Sequence, residues 1–428
     1  MRWRIALLLS FAIAISYLDR QALSIAVAAI QREIPLTNTD FSRLQIAFLA
    51  AYGLMYAGGG ALIDRLGTRR GFTLIMIWWS LACAGHGLAR GFGALAASRF
   101  LLGVGEGGGF PAATKAVAEW FPARERSTAM GLINAGTAIG AVVAPPLIAA
   151  VILSADWRWA FFVCGLAGLL WTIWWVLEYQ PPAQHPRLGA VERAAIAEVF
   201  ESPAGASTAA APAMTWTSLL TFRQVWGLVL AKFLTDGAWY FYLFWLPKYL
   251  YDARGFDVKQ VGYYAWIPYA AAGIGSVIGG WFSSWLLTRG ATINAARKIA
   301  LGASAAVMPL IIFVTQAPVE LAIVLFSIAF FGQQSWSTLV MIVPTDIFPR
   351  RVVASVAGLV GFGGAMGGIV SNLMAGRMLD LGLGYGTVFS IMGMCHVTAF
   401  VVIAIAIPRI DSISLSSVSD ATALRETR

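Results

Sequence analysis

Acidic and basic side chains occur together inside two long apolar runs of the sequence. The first run contains Asp19 followed directly by Arg20, and the fourth contains Arg99 and, further along, Glu106. A guanidinium stays charged at any relevant pH and can form two parallel hydrogen bonds with a carboxylate. A carboxyl group in a poorly hydrated cavity takes up a proton more readily than one in water. We therefore predict that Arg20 and Arg99 bind an anion and that Asp19 and Glu106 carry protons.

A second hypothesis for the same four residues is a static ion-pair network that holds the first and fourth runs together. On a helix, the neighbours Asp19 and Arg20 point about 100° apart, whereas Arg99 and Glu106 share a face about 10 Å apart along the axis. A direct ion pair between Arg99 and Glu106 is not expected at that separation. Charges in the middle of a membrane normally face a partner or a wet cavity, so both hypotheses stay open.

The composition indicates that lipid is the main solvent of this chain. Hydrophobic residues make up 59% of the 428 residues and charged residues 12%, about half the charged share of a soluble globular protein. The net charge of +9 comes from basic residues in short loops between apolar runs, which indicates membrane orientation and not nucleic-acid binding. A phosphate-binding loop, a metal-ligand cluster and a nucleophile–base set are all missing from the sequence. It therefore predicts no enzyme, cofactor or metal.

The apolar runs predict the architecture. A helix that spans a bilayer needs about 20 mostly apolar residues. The twelve runs that meet this length are roughly 5–30, 42–63, 71–89, 94–117, 127–152, 157–179, 223–248, 261–288, 298–315, 319–342, 352–378 and 385–407. The sequence thus predicts an all-α polytopic membrane protein, with twelve transmembrane helices in two six-helix pseudo-symmetric bundles.

The domain boundaries follow from the polar segments between and after these runs. We predict an N-terminal bundle at 1–179, a cytoplasmic linker at 180–222, a C-terminal bundle at 223–408 and a cytoplasmic tail at 409–428. The excess of Lys and Arg in loops on one side predicts that both termini are cytoplasmic.

An internal repeat supports the two-bundle organisation. Residues 121–140 read FPARERSTAMGLINAGTAIG, and residues 348–367 read FPRRVVASVAGLVGFGGAMG. At one constant offset and without a gap, the Phe-Pro pairs, one Arg and three glycines coincide. Such a repeat is expected where two bundles rock around a central site.

The loop after the second run resembles the major facilitator signature G-x-x-x-D-R-x-G-x-R-R. Its defining positions are Gly60, Asp64, Arg65, Gly67, Arg69 and Arg70. Its residue types indicate a latch, that is, a contact between helices that forms and breaks during the transport cycle. The glycine allows close helix packing, and the acid bridges to cationic groups that separate during a conformational change. The alternative is an ordinary basic loop on the cytoplasmic side.

Polar residues also interrupt the apolar runs of the second half. Lys232 and Asp236 are four positions apart and can pair along one helix face, and we favour a self-neutralising structural pair over substrate contact. Gln334 and Trp336 belong to a polar cluster in the tenth run. Buried polar groups need partners, and these could be sugar hydroxyls or neighbouring helices.

Taken with these motifs, the chain resembles the anion:cation symporter family of the major facilitator superfamily, and most of all the bacterial hexuronate transporters. The likeness runs over nearly all of residues 1–408. Segments that carry it are YLDRQALS (17–24), DRLGTRRG (64–71), LGVGEGGGFPAATKAVAEWFPARERSTAMGL (102–132) and DWRWAFF (156–162).

The resemblance implies proton-coupled import of a carboxylated substrate such as a hexuronate or related sugar acid. It assigns substrate and coupling roles to Asp19, Arg20, Arg99 and Glu106, and it adds the tyrosines at the family's first two helices. These correspond to Tyr17 and Tyr52.

The expected partners are the small organic anion, protons and the lipid bilayer, without nucleic acid. The expected location is the bacterial cell inner (plasma) membrane, and the expected state is a monomer. Antiport or efflux, uniport of another carboxylate, and an anion-binding sensor remain as alternatives.

Overall fold

The computed structural model describes residues 1–121, 123–189, 192, 219–348 and 350–411. The side chains of 56–58, 60, 61, 64, 123, 124, 126–128, 183 and 350–355 lie outside the description. Most of the predicted linker 180–222 and tail 409–428 falls outside it as well.

Helix accounts for 87% of the described residues, and no strand occurs among them. The fourteen α-helices of this part of the chain are numbered in chain order. They are α1 (Arg2–Gln31), α2 (Asn38–Leu66), α3 (Thr68–Gly85), α4 (Phe92–Glu106), α5 (Gly109–Trp120), α6 (Ala123–Ser154), α7 (Trp157–Glu178), α8 (Arg223–Arg254), α9 (Val258–Tyr264), α10 (Trp266–Thr288), α11 (Ile293–Ala306), α12 (Val319–Ile347), α13 (Arg350–Asp380) and α14 (Gly384–Ala406). Short 3₁₀ segments cover His86–Leu88, Pro182–Gln184 and Met308–Thr315.

Within the described residues, nine helices are long and apolar enough to cross a membrane. The other three predicted runs are also helical, namely α2, α8 and the pair α4–α5. The fourth run is divided into two shorter helices, and α8 carries several charged residues.

The fourth predicted run, 94–117, is divided at Gly107 and Gly108 between α4 and α5. Glycine is among the weakest helix formers, because it loses the most backbone freedom on folding. The turn still keeps backbone hydrogen bonds, with the Gly107 N–H donating to the Gly103 carbonyl at 3.0 Å. Backbone hydrogen bonding thus continues through the turn, although α4 ends directly at Glu106.

Glycines with positive φ follow the C-terminal ends of four helices. Gly67 lies after α2, Gly255 after α8, Gly290 after α10 and Gly382 after α13, with φ between 66° and 91°. Glycine adopts this left-handed conformation without a Cβ clash, which is why it commonly ends helices. These residues set the points at which the long helices turn back.

The internal repeat corresponds to one type of helix crossing that occurs twice. In α6, a Cβ on Gly136 or Gly140 would be 2.2 Å or 2.1 Å from carbonyl oxygens of α1. In α13, the aligned Gly363 and Gly367 meet carbonyl oxygens of α8 in the same way, at 2.8 Å and 1.8 Å. The repeated glycines therefore let two pairs of helices pack backbone to backbone.

Contacts between Cα atoms divide the chain into two compact units. The first comprises Met1–Leu36, Arg43–Pro212 and Leu250–Trp266, and the second comprises Thr37–Ser42, Ala213–Tyr249 and Ile267–Arg428. The bundle boundaries predicted from hydropathy, at 179 and 223, remain a prediction.

We predict that Gly140→Ala destabilises the protein by about 1–3 kcal/mol, the usual effect of overpacking. The added methyl group would meet the Ala14 carbonyl oxygen, a backbone atom that cannot rotate away. The measurement is thermal unfolding of the purified protein in detergent.

Gly131→Ala is the matched control, because Gly131 lies on the same helix with nothing within 4 Å of an added Cβ. Replacing a helical glycine by alanine at an open position should leave the melting temperature unchanged or raise it. Equal melting temperatures for the two variants would contradict a close α1–α6 crossing.

Candidate functional site

The charged residues predicted from the sequence come together where α1 and α4 meet. The Arg20 Nε donates to Glu106 Oε2 at 2.7 Å, and the Ser16 hydroxyl donates to the same oxygen at 2.6 Å. The Arg20 and Glu106 side chains are 3% and 0% exposed. Glu106 thus forms an ion pair with Arg20 that joins α1 to α4, so two of the four residues in the network hypothesis are paired.

Arg99 lies beside this pair and has no carboxylate contact within the part of the chain that the structure describes. One of its terminal nitrogens, Nη2, donates to the Arg20 carbonyl at 3.0 Å and to Gln45 Oε1 at 3.2 Å. Its Nε and Nη1 have no hydrogen-bond partner among the described residues, although the side chain is fully buried. Arg99 is therefore a buried cation with unused donors.

Aromatic rings surround the two guanidiniums. The Arg20 Cζ lies 4.8 Å from the ring centroid of Tyr17 and 4.6 Å from that of Tyr52. The Phe48 ring is 5.3 Å from the Arg20 Cζ and 5.5 Å from the Arg99 Cζ. The structure thus places both predicted tyrosines at the site, and it adds Phe48. The spacing of Gln45, Phe48 and Tyr52 on one face of α2 could have indicated this addition from the sequence.

Asp19 is fully buried on α1 and takes no part in the Arg20–Glu106 ion pair. Neither of its carboxylate oxygens has a hydrogen-bond partner within the described ranges. It faces the Trp79 indole and the Cys83 thiol of α3, and the indole nitrogen also has no partner there. The site therefore holds a buried acid whose neighbours are weak or unused donors.

Two glycines of α4 allow this arrangement. A Cβ on Gly103 would be 2.4 Å from the Phe48 carbonyl oxygen, and one on Gly105 would be 2.4 Å from the Trp79 Cβ. The helix that carries Arg99 and Glu106 is thus in direct contact with α2 on one side and α3 on the other. Small residues let helix backbones approach in this way within membranes.

The signature loop is described in part. Gly60 and Asp64 belong to α2, but their burial and contacts lie outside the description. Gly67 has φ 76° and precedes α3, and the Arg69 Nη2 donates to the Val176 carbonyl at 2.6 Å. Two further signature residues, Arg65 and Arg70, are exposed. The latch hypothesis stays a prediction.

Glu119, which sequence reasoning did not single out, organises the residues next to this loop. It accepts hydrogen bonds from the Thr68 hydroxyl at 2.6 Å and from the Tyr179 phenol. At the offset of the internal repeat, Glu119 aligns with Asp346, which forms an ion pair of 2.8 Å with Arg297. The repeat, extended by a few residues, could have indicated both acids.

In the second unit, the structure places the predicted polar residues on α8 and α12. Lys232 and Asp236 form an ion pair of 2.8 Å, which confirms the predicted pairing, and Lys232 also donates to Ser337 at 3.2 Å. Gln334 is half-buried. Trp336 is fully buried in the apolar core of this unit.

The neighbour of Gln334 is the more deeply buried amide. Gln333 is 1% exposed, and its Oε1 has no partner among the described residues. The Trp336 indole nitrogen likewise has no partner there, and its ring packs edge-on against His396 at 5.6 Å. Sequence spacing alone did not decide which of the two adjacent glutamines faces inward.

Residues 9–372 match the family model described as Major Facilitator Superfamily. The chain is 31% identical over 409 residues to a hexuronate transporter of Escherichia coli strain K12, with 94% of this chain and 93% of the relative covered. It is 34% identical over 281 residues to a galacturonate transporter of Dickeya chrysanthemi, with 66% and 81% covered.

Among solved structures, the chain is similar in fold to the inward open conformation of the xylose transporter from E. coli. The TM-score is 0.75 at 15% sequence identity, and 99% of this chain and 100% of that chain are covered.

We predict that Lys232→Met lowers the melting temperature of the purified protein, because it leaves the mostly buried Asp236 carboxylate without its partner. Breaking a buried pair on one side costs about 3–5 kcal/mol, and the 15% exposure of the Asp236 side chain places the effect at the lower end.

The double variant Lys232→Met, Asp236→Asn should recover most of that loss, since it removes both charges and keeps the side-chain shapes. Asn is chosen because Gly364 packs directly against Asp236. A double variant as unstable as Lys232→Met alone would contradict a self-neutralising pair.

Proposed function

Since this chain belongs to the Major Facilitator Superfamily, whose members are transporters and not enzymes, we propose that it imports a hexuronate or related sugar acid together with protons. Support comes from relatives named for hexuronate and galacturonate transport, which cover most of the chain. The proposed location is the bacterial inner membrane, with both termini cytoplasmic and the protein monomeric.

The observation that carries this proposal is the condition of Arg99. Its guanidinium is fully buried, it touches no carboxylate of the described residues, and two of its nitrogens have no partner there. A buried charge without a partner is strongly unfavourable. A substrate carboxylate would supply both the opposite charge and the missing acceptors.

The Arg20–Glu106 pair supports coupling between the anion and protons. Glu106 accepts the Arg20 Nε–H through Oε2, so an ionised Glu106 competes with a substrate carboxylate for the same guanidinium. Protonation of Glu106 weakens its hold on Arg20 and frees that donor for the substrate. Binding of the anion and uptake of the proton therefore favour each other.

Asp19 is proposed as the second coupling residue, and its surroundings favour a proton over a metal cation. The uncharged groups beside it are the Trp79 indole N–H and the Cys83 thiol, and the Glu106 carboxylate is a nearby negative charge. Hard cations take several oxygen ligands, and the indole and thiol provide none. A carboxyl group that gains and loses a proton requires no such ligand set.

The proposed cycle is alternating access. Protonated Asp19 and Glu106 allow Arg20 and Arg99 to bind the carboxylate, with Tyr17 and Tyr52 beside Arg20. We keep Gln334 as the predicted contact for the sugar hydroxyls, since it is half-buried, whereas the Trp336 ring lies in the apolar core of the second unit. The signature loop at 60–70 would act as the latch that closes and opens as the halves rock. Substrate drives this change through its different affinity for the two states.

The first test is uptake by proteoliposomes of labelled glucuronate, galacturonate, galactonate and glucarate under an inward proton gradient. We expect at least one of these acids to accumulate above its equilibrium concentration. A protonophore should abolish that accumulation. Arg99→Ala should weaken its binding about tenfold to a hundredfold, the value of a charge-assisted hydrogen bond.

Arg99→Lys is the matched variant, because it keeps the charge and removes the planar fork, and it should retain part of the activity. Uptake that only equilibrates would indicate a uniporter, and uptake driven by an outward gradient of a second solute would indicate an antiporter. Binding of an acid without any flux would favour a sensor.

The coupling role of Asp19 has its own test. In Asp19→Asn, proton-driven accumulation should be lost, while exchange of labelled for unlabelled substrate across the membrane continues. Glu320→Gln, an exposed acid at the start of α12, is the control and should behave as the unmodified protein. Wild-type uptake that is equal at pH 6 and pH 8, with the membrane potential clamped, would remove protons from the mechanism.

A further inference from the structure

Helix α2 presents a continuous face to the two buried guanidiniums. Gln45 accepts a hydrogen bond from Arg99 at 3.2 Å. One turn later, Phe48 lies with its ring near both arginines, at 5.3 Å from the Arg20 Cζ and 5.5 Å from the Arg99 Cζ. Another turn on, Tyr52 stacks on Phe48 with centroids 5.7 Å apart and contacts Arg20.

The position of Phe48 is fixed from several directions. Its side chain is fully buried, and its backbone carbonyl is held against α4 at Gly103, where an added Cβ would be 2.4 Å away. Tyr52 covers one side of the ring. The ring therefore occupies a closely packed position beside both Arg20 of α1 and Arg99 of α4.

Two guanidiniums beside one ring present an electrostatic problem that an aromatic side chain can ease. Like charges repel strongly where water is scarce, and the face of an aromatic ring attracts a nearby cation. An aliphatic side chain of similar volume would fill the same space without that attraction. The Glu106 carboxylate contacts Arg20, whereas no carboxylate of the described residues contacts Arg99.

We propose that Phe48 is a positioning residue, whose ring holds the Arg20 and Arg99 guanidiniums in the arrangement that receives the substrate carboxylate. This inference rests on the proposed function, because it assigns a role within the same anion site. Phe48 acts through the arginines and not on the substrate. Its loss should therefore change apparent affinity more than the maximal rate.

The test replaces Phe48 in the full chain with mono-, di- and trifluorinated phenylalanine. Fluorination draws electron density from the ring face at nearly constant shape, so it weakens cation attraction and leaves packing in place. In proteoliposomes we expect the KM for the transported acid to rise stepwise with each fluorine, by about fivefold to thirtyfold in total. The maximal rate should change less than twofold.

Two conventional substitutions give the upper and lower limits expected for that series. Phe48→Tyr keeps the ring and should stay within about twofold of the wild-type KM. Phe48→Leu removes the ring and should resemble the trifluorinated protein.

Phe72 is the matched control position. It is equally buried, in α3, and its ring packs on Trp171 and Trp175 at 5.2 Å and 5.1 Å. The same fluorinated series at Phe72 should leave KM unchanged.

The outcomes separate this inference from the function on which it rests. If the wild-type protein transports a sugar acid and KM is flat across the Phe48 series, the ring serves packing alone and the inference is wrong. An equal rise at Phe48 and Phe72 would also overturn it, since the effect would then be general. If the wild-type protein moves no acid at all, the proposed function itself fails.

Discussion

The burial of four charged side chains where little water is available is the constraint on which the rest of the first unit depends. Counted over the whole residue, at most 2% of the surface is exposed at Asp19, Arg20, Arg99 and Glu106. A charge in such a place needs a partner, a proton exchange or a cavity. The Arg20–Glu106 contact satisfies one charge of each sign. Among the described residues, a guanidinium with unused donors and a carboxyl group with unused oxygens remain. These are the two groups to which we assign the anion and the proton.

Helix packing follows from the same constraint. Side chains as short as Ser16 and Glu106 meet only if α1 and α4 come close, and Arg99 reaches Gln45 only if α4 also approaches α2. Gly103 allows the second approach. The glycine-rich sequence of α4 therefore does two things, since it weakens the helix at Gly107 and also brings its charged residues within reach of their partners.

The two units share a helix crossing but differ in charge. Equivalent glycines let α6 pack on α1 and α13 pack on α8. The first unit buries ions that are only partly paired, whereas Lys232 and Asp236 of the second neutralise each other. The neighbouring α12 offers neutral groups, an amide and an indole. Pseudo-symmetry thus preserves the packing scaffold while the chemistry of each half is free to diverge.

The sequence by itself determined that this is an all-helical membrane protein, where its helical spans lie, which family it belongs to, and which residue types form the site. Lipid demands long apolar helices with internally satisfied backbones, so composition and periodicity are informative there. Only the tertiary structure decided that Glu106 pairs with Arg20, that Phe48 lies beside both arginines, and that Gln333 is the more buried glutamine. The helical period gives the direction in which each side chain points around its own helix. The partners of that side chain depend on how the helix is rotated and shifted along its axis relative to its neighbours. That rotation and shift are set by packing contacts far apart in the chain.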